Sequence, residues 1–318
     1  VVVINYKDEF QPALLSLRNV LKDLRYDWIY RSIKGLSYFA DSSLNTIAPT
    51  ISEQMTSVSL KHNVAIRLLA LGEAVSQTEV KEIFPENLIN ELLSLGLLVN
   101  NDEIFHLDGC RIIAWLGFYV ISTNPVIQPD TNLTAEQYRL AYELMNLNGN
   151  TAMDLNCGCG LATLVAAERM EKVFAFSDNL TAINITAANL ALNGLKEKVS
   201  LDKIPVSLSD LPKADLVFSS YSEISLPKTI KELFGNELNN RDSLNLLQQL
   251  ETLNCKNIKI VAQLLGAEEV SEFTHYLRSL IKESLEVKVF VLSRNYMPSL
   301  YFETLAEIIR YRLQYVRN

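Results

Sequence analysis

The sequence predicts an α/β protein: an open, largely parallel sheet with helices on both faces, preceded by a mainly helical N-terminal part. Three observations carry that expectation. Asn150 to Leu155 is a short apolar run, the pattern of a strand buried on both faces. Gly158 and Gly160 follow at once, and Leu161, Leu164 and Val165 then recur at helical spacing. Val173 to Phe176 is a second apolar run with Asp178 just beyond it, and Leu180, Ile183, Ala187 and Leu190 resume the helical period up to an Asn193-Gly194 stop. Strand, glycine loop, helix, strand, acidic loop, helix is the first half of a nucleotide-type sheet, whose ligand lies at the carboxyl ends of the strands.

The chemistry behind the pattern is local. A bulky ligand must approach the backbone where the first strand turns into its helix, and glycines permit both the approach and the dihedrals. The helix N-terminus offers free N–H groups to an anionic group. A carboxylate after the second strand can accept hydrogen bonds from two ribose hydroxyls. A dinucleotide site wants a third glycine, whereas here Thr163 stands at that place, so NAD is disfavoured.

Asp154-Leu-Asn-Cys-Gly-Cys-Gly160 resembles motif I of the class I S-adenosylmethionine-dependent methyltransferases, usually written D-L-G-x-G-x-G, with Asn156 in place of the first glycine. Asn189 to Gly194, and Ala214 to Ser219 as a fourth strand, are similar to the "small" methyltransferase domain family. That family includes glutamine N5-methyltransferases of release factors and rRNA guanine N2-methyltransferases. The resemblance covers roughly the second half of the chain. It implies a Rossmann-like class I methyltransferase sheet and S-adenosylmethionine as cofactor. The cofactor-side residues it implies are Asp154, Asn156, Cys157, Gly158 and Gly160 in the loop, Ser177, Asp178 and Asn179 after the second strand, Asp202 by the third, and Ser219 and Ser220 at the end of the fourth.

The departures from the family pattern matter equally. Counting back from Asn189 puts Ser177 at the place of the ribose-binding acid and Asp178 one residue late. The acidic pair expected after the third strand is absent, with Asp202 nearby and out of register. The family's N-P-P-Y, which holds a planar amide or base amino group, is replaced by Ser220-Tyr-Ser-Glu223. That replacement argues against amide or nucleobase N-methylation and leaves O-, C- or other N-methylation. A hydroxyl or ammonium acceptor must lose a proton, so Glu223 is the candidate base, with Tyr221 packed on or hydrogen-bonded to the acceptor.

The chain of 318 residues is long enough for two domains, expected as 1–122 and 123–318. Leu14, Leu17, Leu21 and Leu24 form a helical stripe, and the aromatic cluster of Tyr26, Trp28, Tyr30, Tyr38 and Phe39 reads as core or subunit contact; an exposed helical N-terminal domain makes a homodimer an expectation. Residues 60–108 resemble a winged helix: a helix from Leu60 to Leu71, a capping box Ser76–Glu79, a third helix opened by Pro85 at N1 and running to Leu95, and a hairpin turning at Asn100 to Asp102. Its candidate recognition helix, 86–95, has no Lys or Arg, and the net charge is −8, so no nucleic-acid partner is expected. The module is similar in architecture to the N-terminal module of small-molecule O-methyltransferases, and that resemblance implies dimerisation or the lining of a substrate pocket. Arg111 to Ser122 reads as one strand-like run, 124–131 as a loop with Gln128, Asp130 and Thr131 as pocket candidates, and 134–147 as a helix capped by Thr134. Further on, 227–253 reads as helix, 257–265 as the fifth strand, 270–284 as helix and 285–292 as a sixth strand.

No apolar run reaches membrane-span length, and Cys110, Cys157, Cys159 and Cys255 form no disulfide framework, so a cytoplasmic protein without membrane or metal is expected. Cys157 and Cys159 are expected as small residues that let the backbone near the cofactor. The sequence therefore predicts methyl transfer to a small-molecule or peptide acceptor. The alternative is a degenerate methyltransferase fold that binds a ligand or partner without turnover.

Overall fold

The computed structural model describes residues 4, 6–32, 58–123, 131, 133–205, 210–221 and 255–262. Among them the centre is a five-stranded, wholly parallel sheet made of β6 (Gly149–Asp154), β7 (Met170–Ser177), β8 (Val199–Lys203), β9 (Ala214–Tyr221) and β10 (Cys255–Ala262). Its strand order is β10-β9-β6-β7-β8. Read from β6 as the first strand, this is 3-2-1-4-5, so the chain reverses direction across the sheet between β6 and β9. Helices α6 (Ala135–Leu144), α7 (Leu161–Arg169) and α8 (Leu180–Asn193) pack against one face.

The alternation of side chains explains why these segments are strands. Ala152, Val173, Ala175, Leu216 and Phe218 point into the core shared with the three helices, whereas Met153, Leu155, Phe176 and Val217 form a second buried cluster on the opposite face. The helices expected over 227–253 and 270–284, the sixth strand, and the chain end lie outside the described residues.

The N-terminal part holds α1 (Gln11–Asp23), α2 (Tyr26–Ser32), α3 (Leu60–Ala65) running into a π-helical turn at Ile66–Ala70, β1 (Val75–Ser76), α4 (Gln77–Ile83) and α5 (Glu86–Leu95), then β2 (Leu98–Asn101) and β3 (Ile104–Leu107). β1, β3 and β2 form a small antiparallel sheet in that order. The Ser76–Glu79 capping box is present in both directions, and Glu79 also takes Arg67 Nη1 at 2.7 Å. Pro85 stands at the N-cap of α5 rather than at N1, with an extended backbone. The hairpin turns at Asp102 and Glu103, both with positive φ, one residue later than the sequence suggested.

The run from Arg111 to Ser122 is not one strand. It is a tight hairpin of β4 (Cys110–Trp115) and β5 (Phe118–Thr123), turned at Leu116-Gly117 with φ of 46° and 93°. Apolar residues on both sides of that turn hid it from a reading of hydrophobicity. In the aromatic cluster, Tyr26 and Tyr30 are buried and Tyr26 Oη donates to Ile112 O at 2.7 Å, while Trp28 is 63% exposed. Tyr38 and Phe39 lie outside the described residues.

One apolar core crosses the expected border at 122. It runs from Leu14, Leu17 and Tyr26 through Ile112 and Ile121 to Leu164, Val165 and Ile185, and α1 packs directly on α8. Buried amides fasten the same junction. Asn189 Oδ1 accepts from Ile121 N at 2.7 Å and its Nδ2 donates to Ile121 O at 2.8 Å. Asn193 does the same for Tyr119, accepting from N at 3.0 Å and donating to O at 2.7 Å. Two side chains one helical turn apart thus pair with alternate residues of β5 as a neighbouring strand would. Replacing Asn193 with Ala leaves the buried N–H and C=O of Tyr119 without these partners. It should lower stability by about 1–3 kcal/mol, read as a lower urea midpoint with an unchanged slope.

Candidate active site

The candidate site is built where β6 ends. Beyond Asp154 the chain keeps bonding alternately to both neighbours: Leu155 N donates to Phe218 O of β9 and Cys157 N to Phe176 O of β7, each at 3.0 Å. It then turns sharply, with Gly160 N donating to Cys157 O at 2.6 Å, and enters α7. Gly158 and Gly160 have φ of 53° and 87°. A Cβ on Gly160 would lie 2.9 Å from Thr186 Cγ2, so glycine is required there both by the backbone and by the close passage of α8.

Asp154 is 1% exposed and points toward α7 rather than outward. Thr163 Oγ1 donates to its Oδ2 at 2.6 Å and Asn156 N donates to its Oδ1 at 3.1 Å. It braces the glycine loop from within. Burial pushes its carboxyl up to about 7, against the opposing effect of those two hydrogen bonds. Cys157 and Cys159 are buried free thiols, held well above the ordinary thiol range by burial. Cys159 Sγ lies 3.4 Å from Gln137 Oε1 of α6.

Asn156 is half-buried at the reversal point, and its Nδ2 donates to Ser220 O at 3.0 Å. Ser219 and Ser220 are buried at the end of β9, and Ser219 Oγ has no hydrogen-bond partner among the described residues. Ser177, the last residue of β7, is buried and its Oγ accepts from Asn179 N at 3.1 Å. Asp178 follows and is exposed. Asn179 Oδ1 caps α8 through Thr181 N at 2.8 Å. Asp202 is exposed on β8 in register with Phe176, one residue short of the pair Ser177 and Lys203. The carboxyl ends of β6, β7, β8 and β9 therefore bring all eleven expected cofactor-side residues to one end of the sheet.

Tyr221 is the last residue of β9. Glu223, Gln128 and Asp130 lie outside the described residues. Thr131 is fully buried with Oγ1 2.8 Å from Thr123 Oγ1, a contact that ties it to the end of β5.

A supporting layer was not read as such from the sequence. Thr186 Oγ1 donates to Gly158 O at 3.1 Å and Asn189 Nδ2 to Cys159 O at 2.7 Å, so α8 holds both loop carbonyls. Thr163 and Gln137 hold the loop from α7 and α6. The signal was present: Thr186, Asn189 and Asn193 recur at helical spacing within a helix otherwise lined by Ile185, Ala188 and Leu192.

A carboxyl raised from 3.8 to about 7 on folding binds its proton more tightly in the native state. Its stabilising contribution is complete below pH 4 and is lost as pH rises through 7, with a slope approaching about 1.4 kcal/mol per pH unit in between. Asp154→Asn should flatten stability between pH 4 and 7 relative to the wild type, as read by urea unfolding at a series of pH values.

No family model matches the chain. The chain is 36% identical over 69 residues to a probable cobalt-precorrin-6B C(15)-methyltransferase (decarboxylating) of Methanothermobacter thermautotrophicus. The match covers 21% of this chain and 36% of that protein, so the chain spans about a third of the length of the curated relative it matches. Among solved structures, a precorrin 8w decarboxylase from Methanobacterium thermoautotrophicum aligns at 24% identity over 46% of this chain and 72% of that one, with a TM-score of 0.34. An S-adenosylmethionine-dependent methyltransferase from Agrobacterium tumefaciens aligns at 16% identity over 56% of this chain and 60% of that one, with a TM-score of 0.41. Trm5b from Pyrococcus abyssi aligns at 17% identity over 57% and 52%, with a TM-score of 0.38. Strand order, glycine loop and the sequence match together give this chain the Rossmann-like fold of the class I S-adenosylmethionine-dependent methyltransferases.

Proposed function

We propose that this chain transfers the methyl group of S-adenosylmethionine to a small-molecule or peptide acceptor. The observation that carries the reading is the glycine loop at the reversal point between β6 and β9, with two positive-φ glycines, leading into α7. The methionine end belongs against Gly158, Gly160 and the first turn of α7. The ribose belongs beside Asp178, whose exposed carboxylate follows the buried end of β7, with Ser177 and Asn179 shaping the turn. Asp202 belongs on the adenine side, and Ser219 and Ser220 on the cofactor side at the end of β9.

Bound there, S-adenosylmethionine supplies a sulfonium-activated methyl group. The protein's part is to hold an acceptor in line with the S–CH3 bond and to keep water out, and positioning of this kind supplies much of the rate. Tyr221 and Glu223 follow Ser220 in the sequence, and Glu223 is the candidate base for an acceptor that must lose a proton, with Tyr221 as the candidate acceptor contact. On this reading residues 1–122 serve the acceptor side and 123–318 the cofactor, with one apolar core shared across the border.

The matched curated protein is by its name a probable cobalt-precorrin-6B C(15)-methyltransferase, and this supports a small organic acceptor here. The net charge of −8 and the cation-free 86–95 helix disfavour nucleic acid. Among the described residues no helix is long and apolar enough to cross a membrane. A second reading, binding without turnover, draws on Asn156, whose side chain crosses the reversal point where the family pattern has glycine.

The test is calorimetric titration with S-adenosylmethionine, S-adenosylhomocysteine and NAD in parallel. Micromolar binding of the two sulfur ligands and not of NAD is expected, and preference for NAD would overturn the reading. Asp178→Ala should weaken binding of S-adenosylhomocysteine by about 1–3 kcal/mol, the loss of hydrogen bonds to a charged group. Unchanged affinity would remove Asp178 from the ribose site.

A further inference from the structure

The rungs between β6 and β9 end abruptly. Leu155 N donates to Phe218 O, so in a continuing parallel ladder the next rung would run from Cys157 N to Ser220 O. It does not: Cys157 N turns to Phe176 O on β7. The carbonyl of Ser220, a residue 5% exposed, would then face the reversal-point crevice without that partner. Asn156 Nδ2 takes the missing rung at 3.0 Å, while the backbone N–H of the same residue is fixed to Asp154 Oδ1. A side chain thus extends the ladder by one step at the very place where the chain divides toward its two neighbours.

We propose that Asn156 is a positioning residue that couples the glycine loop to the end of β9. Its amide transmits the loop's position to Ser220, and so to the last residues of β9. The proposal rests on the methyltransferase reading for its purpose, and on the Asn156–Ser220 bond for its physics. A glycine at 156 leaves the loop backbone free to form and removes the coupling. An aspartate keeps the shape but supplies no donor and sets a carboxylate against the Ser220 carbonyl.

The experiment is amide hydrogen exchange on the full chain, comparing wild type with Asn156→Gly and Asn156→Asp, each with and without S-adenosylhomocysteine. In the unliganded protein, exchange at 220–221 should rise about five- to tenfold in both variants, with 152–154 unchanged. In the wild type, S-adenosylhomocysteine should slow exchange both at 156–160 and at 220–221. In the variants it should protect 156–160 alone, whatever the change in affinity, read at saturating ligand. Unchanged exchange at 220–221 in unliganded Asn156→Asp, or equal ligand protection at both segments in the variants, would overturn the coupling. Should the wild type bind no S-adenosylhomocysteine, the methyltransferase reading fails by itself, and unliganded exchange still decides the tether. If one variant does not fold, the other decides.

Discussion

A glycine loop folded into a protein interior turns its carbonyl groups away from water, and each of them needs a donor. Here two of the donors come from one helix. Thr186 takes the carbonyl of Gly158 and Asn189 that of Cys159, while Asn189 and Asn193 also serve the backbone of β5. The polar stripe of α8 is therefore satisfied on both sides, and the loop cannot shift without stranding buried polar groups. The close passage that makes these bonds possible is the one that excludes a side chain at Gly160.

The inner side of the candidate site is thus hydrogen-bonded to the protein itself, and the residues expected to face a ligand come from strand ends. Asp154, Cys157 and Cys159 are turned inward and spend their polar atoms on the protein itself. What remains toward the open end is backbone of the glycine loop, the carboxylate of Asp178 and the end of β9. Such a division suits a cofactor bound largely by main-chain groups, with its geometry fixed before it arrives. It also accounts for cysteines at 157 and 159: small, buried, protonated groups that pack and leave the loop neutral.

The sheet was legible in the sequence because its strands are short apolar runs bounded by glycine or acid, and because periods of two and of 3.6 alternate cleanly from Gly149 to Gly194. The capping box at Ser76 and the cap at Thr134 were equally plain, being local signatures, although the reciprocal bond that Gln137 adds at Thr134 was not read. Tertiary closure was not legible. The β4–β5 turn lies between Trp115 and Phe118 and carries no polar punctuation except Gly117. Asp154 matched a ligand motif, yet its partners Thr163 and Asn156 sit nearby in the chain and draw it inward. The continuity of the core across residue 122 depends on α1 meeting α8, a contact between distant segments that no window of sequence contains.

A two-stranded ribbon such as β4–β5 has edges that could recruit another chain's strand. On the β5 side that possibility is closed. The N–H and C=O groups of Tyr119 and Ile121, which would template such an addition, are already occupied by the carboxamides of Asn193 and Asn189. A helix here imitates the missing strand, and it protects the molecule from edge-to-edge aggregation at the seam where its two halves meet.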